Sequence, residues 1–356
     1  MMFHTDKLSG KVNEFADAAL IFSEENRRYF TQFPSSDGVL AVFADEALFF
    51  TDSRYTEAAA KCIGEDFVLD SSNVYEKLTE LFNSKGVKRV ALENDKVTLQ
   101  DFENLRKKLP EVEFVVTDEL SSAIEEIRIV KESSEVEKIK AAQKIAESAF
   151  DHMLTFIKEG MTEKEISLEL DFYMLSHGAE AVSFETIAVA GKNSSMPHGV
   201  PGDYKIQNGD FLTLDFGATV DGYHSDMTRT VCIGEPSDKM REVYETVLKA
   251  QCAALDALKD GITGLEADKI ARDIIEDAGY GKNFGHGLGH GVGVEIHEAP
   301  RLSPKATHTL RSGHVVTVEP GIYLPGEFGV RIEDMALITE KGCENLTSCK
   351  KELIIL

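Results

Sequence analysis

Residues 159–165 read EGMTEKE and residues 260–266 read DGITGLE, so one pattern occurs twice at an offset of 101 positions. Both copies contain Thr-x-x-Glu, in which the hydroxyl and the carboxylate satisfy free amides at the start of a helix. Three upstream residues match at the same offset, Leu154, Ile157 and Lys158 with Leu255, Leu258 and Lys259. The pattern predicts an internal duplication, in which two similar helix–helix–sheet halves face each other.

The composition limits the partners that the chain can bind. Its 356 residues carry a formal net charge of -24, which would repel both nucleic acid and anionic membranes. No apolar run reaches the ~18 residues of a transmembrane helix, and no signal-peptide core is present. Five cysteines without metal-site spacing are typical of reduced thiols, which predicts a cytoplasmic protein.

The length allows two domains, and we place their boundary near Ile127. Residues 1–127 alternate β-rich and helix-like segments, which predicts an α/β domain. Its predicted strands are Val39–Phe43, Ala47–Thr51, Val87–Leu92 and Val112–Val116, and its predicted helices include Asp52–Ile63 and Val97–Leu109. A charged helix near Glu132–Phe156 begins the second domain, residues 128–356. Histidine-dependent chemistry is expected there, because no histidine occurs between His4 and His152.

Asp221-Gly222 lies between strand-like residues and is a strong signal for a two-residue hairpin turn. Such a turn would place Asp215 opposite Thr228. Asp226 would then share a face with Asp215, at roughly 7 Å between their Cβ atoms or less. Two carboxylates this close repel each other unless a positive charge lies between them. The alternative interpretation is a solvated strand face.

A second apparent hairpin joins residues 315–321 to residues 329–333 and carries Glu319 and Glu333. Apolar neighbours surround both glutamates, and such surroundings rarely bury a carboxylate without a partner. Arg331 shares the strand face of Glu333 and is a candidate partner for it. A structural ion pair is therefore the alternative to a metal site.

Residues 285–297 read GHGLGHGVGVEIH, with five glycines at alternate positions. One strand face would carry almost no side chains, as where another backbone or a ligand approaches closely. His286 and His290 would share the other face, whereas His297 has the opposite parity and needs a bend or bulge. A phosphate-binding loop is the competing interpretation, but no Lys-Ser/Thr pair follows the glycines.

His198 lies within SMPHG at residues 195–199, and a lone histidine of this kind is usually structural. It precedes His297 by 99 residues, close to the repeat offset, so the two histidines are candidates for equivalent positions on one cleft. The four carboxylates and His290 form an oxygen-rich set that suits hard divalent ions such as Mn²⁺. Two ions, ~3.5–4 Å apart with a hydroxide between them, balance four anions better than one ion does.

These residues closely resemble the pita-bread metallopeptidases, in the proline-directed branch of Xaa-Pro dipeptidases (prolidases) and Xaa-Pro aminopeptidases. The resemblance implies an α/β N-terminal creatinase-type domain, in which Asn26-Arg27-Arg28-Tyr29 and Asp52-Ser53-Arg54-Tyr55 carry it. It also implies an α+β pita-bread catalytic domain with an internal pseudo-twofold duplication. The implied activity is hydrolysis of the Xaa-Pro bond at the N-terminus of dipeptides or short peptides, by a hydroxide that bridges two metal ions.

The resemblance also implies a role for each site residue. The metal ligands would be Asp215 on one ion, His290 and Glu319 on the other, and Asp226 and Glu333 as bridges. The catalytic residues would be His198 and His297, which stabilise the tetrahedral intermediate, and Glu319, which passes on the proton. The substrate pocket would include His286, Ile296, Arg331 and Phe184. Mn²⁺ is the favoured cofactor, with Co²⁺ or Zn²⁺ as alternatives, and a homodimer is the implied assembly.

Several related activities stay open. Dipeptidase and aminopeptidase would differ in the length of the proline-containing peptide that is cleaved. Methionine aminopeptidase shares the metal set, but the long N-terminal domain argues against it. Creatinase-like hydrolases use this architecture without metal, and some pita-bread proteins only bind partners. Neither of these needs all five ligands, so the intact set favours a metallopeptidase.

Overall fold

The computed structural model describes residues 2–356, which form two compact units that are divided along the chain between Arg128 and Ile129. The helices of the first unit are α1 (Thr5–Val12), α2 (Glu24–Thr31), α3 (Thr56–Ile63), α4 (Val74–Lys85), α5 (Leu99–Lys108) and α6 (Glu119–Arg128). Its strands are β1 (Ala18–Ile21), β2 (Val39–Phe43), β3 (Ala47–Thr51), β4 (Val68–Asp70), β5 (Arg89–Leu92) and β6 (Glu113–Val115).

The strands of the first unit form a mixed sheet in the order β4-β3-β2-β1-β5-β6. β1, β2 and β3 pair antiparallel, and the outer strands pair parallel. β2 and β3 coincide with the predicted strands, whereas β5 and β6 begin two residues and one residue later. Apolar residues fill both faces of the central strands, which accounts for their continuous hydrophobic sequence.

A buried carboxylate holds the start of α2. Glu93, directly after β5, is fully buried and accepts hydrogen bonds from the amides of Phe22 and Ser23 at 2.6 and 3.1 Å. The hydroxyl of Ser23 and the side-chain amide of Asn26 also donate to it, at 2.6 and 2.7 Å. These amides at the start of α2 would otherwise lack partners. The buried acid of the first unit, Glu93, therefore has a structural role.

The second unit begins with α7 (Ser133–Phe156) and α8 (Glu163–Ser176), and later contains α9 (Asp238–Ala257) and α10 (Gly264–Asp277). Strands between the helix pairs are β7 (Ala181–Val182), β8 (Ile187–Ala190), β9 (Phe211–Phe216), β10 (Ala218–Val220), β11 (Tyr223–His224) and β12 (Met227–Cys232). Strands after α10 are β13 (Gly289–Gly291), β14 (Glu298–Leu302), β15 (Val315–Val318), β16 (Gly321–Leu324), β17 (Phe328–Arg331), β18 (Asp334–Thr339) and β19 (Gly342–Asn345).

The predicted duplication is confirmed by the order of these elements. The first half places β8, β9 and β12 side by side, and the second half places β13, β15 and β18 side by side within a five-stranded sheet. Each half packs its own helix pair on its sheet and has its own apolar core. Both capping boxes are present, Thr162 with Glu165 and Thr263 with Glu266. The second unit thus consists of two related halves, each with a helix pair packed on its own sheet.

The second unit begins with a capped helix, and none of its described helices is suited to cross a membrane. Glu132, with Glu135, caps α7, so the helix begins where the sequence indicates. Within residues 2–356, no helix combines the length and the apolar composition needed to cross a membrane.

Candidate active site

The first hairpin forms at the predicted turn. Asp221 and Gly222 have φ values of 48° and 80°, the left-handed pair that a tight hairpin turn requires. Thr228 pairs with Asp215, as the turn predicts. The ladder between the strands is interrupted at Asp226, a residue that is 4% exposed. The two aspartates thus lie on one face of the hairpin.

Gly217 lets the two strands approach closely beside the aspartates. A Cβ atom at this position would lie 1.9 Å from the carbonyl oxygen of Ser225, so only glycine fits. On the next position, the amide of Ala218 donates to the Ser225 hydroxyl at 3.0 Å. Backbone contact at Gly217 therefore sets the spacing from which Asp215 and Asp226 project.

The second hairpin repeats this design. Val318 pairs with Asp334, and Gly321 pairs with Arg331, so Glu319 and Glu333 lie at matching positions where the ladder is interrupted. The amide of Glu333 donates to the carbonyl of Thr228 in the first hairpin, at 3.1 Å. The two interrupted hairpins therefore meet at their acidic residues.

The glycine-rich segment brings the third element. Cβ atoms at Gly289 and Gly291 would lie 2.0 Å from the carbonyl oxygens of Thr317 and Ala299, so the predicted close backbone approach is confirmed. The strand pairing shifts register between His290 and Gly291. This bulge, with the loop that follows, brings His297 to a ring-centroid distance of 4.4 Å from His290. The bend that the parity of His297 requires is therefore present.

The predicted ligands converge. Asp226, His290 and Glu333 each offer one ligand atom, and these atoms lie within 4.8 Å of one another. The Nε2 atom of His290 lies 3.5 Å from Asp226 Oδ2 and 3.5 Å from Glu319 Oε1. Asp215 completes the set from β9. All five candidate ligands line a single cavity of about 510 Å³.

The hydrogen bonds of His290 determine which nitrogen faces the acids. Its Nδ1 lies 3.0 Å from the carbonyl oxygen of Gly291, which can only accept, so Nδ1 carries the proton. Burial lowers the pKa of His290 to about 3, so the ring is neutral. The Nε2 lone pair then points at two carboxylates, an arrangement that favours a cation between them.

Three carboxyl groups of the cluster, those of Asp226, Glu319 and Glu333, resist ionisation. Burial, followed by the neighbouring acids Glu333, Asp215 and Glu319, raises the pKa of Asp226 well above its ordinary value. Burial and the same kind of repulsion raise the pKa of Glu333, and burial raises the pKa of Glu319 to about 8. Such shifts are typical of functional sites, because the fold holds like charges together without neutralising them.

Arg331 is the charged neighbour of the cluster, and its partner differs from the predicted one. Its Nη2 donates to Asp215 Oδ2 at 2.6 Å, rather than to Glu333. Glu333 instead accepts a 2.6 Å hydrogen bond from the Thr228 hydroxyl. The side chain of Arg331 reaches back across the hairpin toward β9, so sharing a strand face with Glu333 did not determine its partner.

The other predicted residues lie around the same cavity. His198, His286, His297, Arg331 and Phe184 line it, but Ile296 is not among its lining residues in the described chain. His198 and His297 are both exposed residues at this cavity. His286 is held between the Gly287 carbonyl at 2.8 Å and the Tyr323 hydroxyl at 3.0 Å.

Sequence reasoning missed Tyr323 and Thr317. The Tyr323 hydroxyl accepts a 2.7 Å hydrogen bond from Arg331 Nη1 and contacts His286, so it links two predicted site residues. The Thr317 hydroxyl accepts from the amide of His290 at 3.1 Å and lies 3.5 Å from Glu319. The alternation of residues along the second hairpin was the available signal for Thr317, because Thr317 is two residues from Glu319.

The donor set fits divalent cations. It offers four carboxylates and one neutral imidazole, the oxygen-rich mixture that hard ions prefer. Asp215 Oδ1 is buried without a hydrogen-bond partner, and a buried carboxylate oxygen rarely remains so without a positive ligand. Arg331 forms an ion pair with Asp215 at 2.6 Å, and its positive charge also opposes the rise in the pKa values of Asp226, Glu319 and Glu333.

Comparison with known proteins agrees with this geometry. Residues 137–340 match the model of metallopeptidase family M24, and residues 12–130 match the creatinase/prolidase N-terminal domain. The chain belongs to metallopeptidase family M24. The predicted creatinase-type domain and pita-bread catalytic domain are therefore confirmed, and the protein is a hydrolase of the metallopeptidase class.

Relatives of this M24 chain resemble it over nearly its whole length. A Xaa-Pro dipeptidase of Pyrococcus horikoshii is 38% identical and covers 95% of this chain and 94% of its own. The structure of a Xaa-Pro dipeptidase from Bacillus anthracis is 41% identical, with a TM-score of 0.95 and coverage of 99% of both chains. An X-Pro aminopeptidase structure from Thermotoga maritima is 40% identical, with a TM-score of 0.91 and coverage of 96% and 98%.

Proposed function

We propose that this M24 peptidase hydrolyses the bond before proline in dipeptides, with two divalent cations as cofactors. The observation that carries the proposal is the convergence of four carboxylates and the His290 Nε2 atom on one cavity. The names of the relatives support proline-directed cleavage, and two of the three relatives are dipeptidases.

The ligands divide between the two hairpins and the glycine-rich segment. Asp215 would hold one cation, His290 and Glu319 would hold the other, and Asp226 and Glu333 would bridge them. When bound, a pair of such ions supplies a hydroxide near neutral pH and polarises the carbonyl that is attacked. Mn²⁺ suits this donor set, and Co²⁺ or Zn²⁺ are the alternatives.

The remaining residues bind the substrate and move protons. Imidazoles of His198 and His297 would donate hydrogen bonds to the oxyanion that develops on the carbonyl before proline. Glu319 would accept a proton at a carboxylate oxygen and transfer it to the departing proline nitrogen. Phe184, which lines the cavity, would form an apolar wall for the proline ring, and His286 would support the pocket through Tyr323.

Arg331 would orient one ligand rather than contact the reacting atoms. Its guanidinium binds Asp215 Oδ2 and the Tyr323 hydroxyl, and its Nε donates to the Thr228 hydroxyl at 3.0 Å. These bonds fix Asp215 so that its other oxygen faces the cluster. Supporting residues of this kind typically contribute about 10–100-fold to metal affinity or activity.

The test is metal-dependent cleavage of two substrates. The purified chain is stripped with a chelator, reloaded with Mn²⁺, and assayed on an Ala-Pro dipeptide and an Ala-Pro-Ala tripeptide. We expect about two ions per chain by elemental analysis, activity that returns with metal, and faster turnover of the dipeptide. Faster turnover of the tripeptide would instead indicate an aminopeptidase.

The same assay separates the remaining alternatives. Full activity without bound metal would indicate a creatinase-like hydrolase, and metal-free, inactive protein would indicate a binding function. Three further expectations stay predictions: a homodimer, a cytoplasmic location, and functional domains that divide at residues 127 and 128. Light scattering coupled to size-exclusion chromatography tests the homodimer directly.

A further inference from the structure

Glu163, the first residue of α8, is fully buried although it is a carboxylate. Buried acids of this kind are rare unless they have several partners. Glu163 Oε1 accepts hydrogen bonds from the amide of Ala190 at 2.7 Å and from the Asn193 side chain at 3.0 Å. Its Oε2 accepts from the amide of Gly202 at 3.0 Å. The carboxylate is therefore satisfied by three donors.

These donors lie at the two ends of one connecting segment. Ala190 ends β8, Asn193 lies in the turn at Gly191–Ser195, and Gly202 lies beyond the predicted catalytic histidine. His198 lies between them and projects from the segment into the cavity. A single buried carboxylate thus joins the start and the end of the loop that carries His198.

The duplicated half shows that helix capping does not require this acid. The position equivalent to Glu163 is Gly264, and the capping box that surrounds it is the same. A Cβ atom at Gly264 would lie 2.2 Å from the carbonyl oxygen of Arg301 and 2.8 Å from the Cβ of Ala306. In the second half the backbone itself fills this space, whereas the first half fills it with a carboxylate that binds the His198 segment.

The middle of the segment contacts Arg331 and Gly329 of the second hairpin. The carbonyl of Pro197 accepts a 3.3 Å hydrogen bond from Arg331 Nη1, and the Ser194 hydroxyl accepts one from the amide of Gly329 at 2.9 Å. The segment is therefore held between Glu163 at its ends and the second hairpin at its middle. The exposed ring of His198 depends on this backbone for its position.

We propose that Glu163 is a positioning residue for His198, because its carboxylate ties together the two ends of residues 190–202. The inference rests on the proposed role of His198 in hydrolysis. Three N–H donors require an acceptor-only group, and a glutamine would turn an N–H donor toward at least one of them. Glu163→Gln should therefore loosen the segment and displace His198 without touching any metal ligand.

A double-mutant cycle tests this coupling in the metal-loaded full chain. Wild type, Glu163→Gln, His198→Ala and the double variant are assayed on the Ala-Pro dipeptide. A displacement of about 1 Å can cost on the order of 10²-fold, so we expect Glu163→Gln to lower kcat by roughly 10–100-fold, with little change in KM or metal content. In the His198→Ala background the same substitution should cost less than about twofold. Equal losses in both backgrounds overturn the proposal.

Glu165→Gln is the matched control, because it makes the same substitution two residues away. Glu165 accepts from the Thr162 amide and hydroxyl at 2.7 and 2.8 Å, so it serves only the start of α8. This variant should lose some stability and keep kcat. If Glu163→Gln does not fold, Asn193→Ala removes one of the three donors and should give a smaller kcat loss that also disappears in the His198→Ala background.

Hydrogen exchange gives a readout that does not depend on the substrate. The amides of Ala190 and Gly202 should exchange faster in Glu163→Gln than in wild type or Glu165→Gln. Unchanged exchange at both amides overturns the anchoring role. A wild-type chain that shows no Xaa-Pro cleavage would instead overturn the proposed function, and the exchange result would still decide whether Glu163 holds the segment.

Discussion

The two halves of the catalytic unit share a scaffold and differ in the residues that they bring to the centre. Both hairpins are interrupted at an acid, but the first half carries aspartates and the second carries the longer glutamates. Val189 in β8 and His290 in β13 occupy equivalent positions: Val189 precedes the residue that pairs with Leu212, and His290 precedes the residue that pairs with Val316. Both are buried. Only the second half thus adds an imidazole to the candidate metal ligands.

A duplicated fold can therefore build an asymmetric site. The symmetric features are those that make the scaffold: capping boxes, strand order and glycines that allow close approach. The asymmetric features are those that touch the cluster, so two cation positions in this site would have unequal ligands.

Loss of an acid that is proposed to bridge the two ions should be equally severe in either half. Asp226→Asn and Glu333→Gln each remove one negative charge from a buried cluster, and each should lower kcat by more than the roughly 100-fold cost of losing a supporting residue. Both variants should also retain fewer metal ions in elemental analysis. Asp273→Asn, an exposed acid on α10, is the control and should keep activity and metal. Near-native turnover in either variant would show that the halves do not share the ions.

Supporting threonines should separate the halves. Thr317 and Thr213 occupy equivalent positions on β15 and β9, but only the Thr317 hydroxyl contacts His290 and Glu319. Thr213 instead contacts Thr230, at 3.1 Å. Thr317→Val should weaken metal binding about 10–100-fold, and Thr213→Val should weaken it much less. Titration of the stripped protein with Mn²⁺ measures both, and similar losses would argue that the asymmetry is unimportant.

The thermal stability of the metal-free protein should depend on pH because of the buried acids in the cluster. The pKa of Glu319 is raised from 4.5 to about 8, chiefly by burial, so folding binds a proton that the unfolded chain would release. This contribution to stability is fully present below about pH 4.5 and is lost as the pH rises through about 8. Thermal melts of chelator-treated protein should therefore shift downward between pH 5.5 and 8.5. Mn²⁺ should reverse most of the shift, and a flat profile would contradict the raised pKa.

Helix capping should show the smallest effect and no difference between the halves. Thr162→Ala and Thr263→Ala remove equivalent caps, whose hydroxyls accept from Glu165 and Glu266 amides at 3.1 and 3.2 Å. Each substitution should cost about 1 kcal/mol of unfolding free energy in a urea titration. A much larger loss at Thr162 would mean that its neighbour Glu163 depends on the cap, which would link the helix start to the His198 segment.

Much of the scaffold could be predicted because its signals are local. The turn at Asp221-Gly222 and the capping boxes each depend on a few adjacent residues, and they form as predicted. The partner of Arg331 could not be predicted, because Asp215 lies 116 positions away and reaches it only through contact between the hairpins. The Glu163 carboxylate was hidden for a related reason, since its sequence position reads as part of an ordinary capping box.

The outer faces of α8 and α10 differ in a way that affects handling of the protein. Leu168, Phe172 and Leu175 are 58%, 68% and 49% exposed on α8, whereas α10 carries a Lys269–Asp273 ion pair on its outer surface. The net charge of -24 keeps molecules apart at low ionic strength. Salt at about 1 M shortens the screening length to about 3 Å. High-salt purification steps would therefore allow the exposed apolar side chains of α8 on different molecules to associate. Dilute buffer is therefore the safer choice for storage.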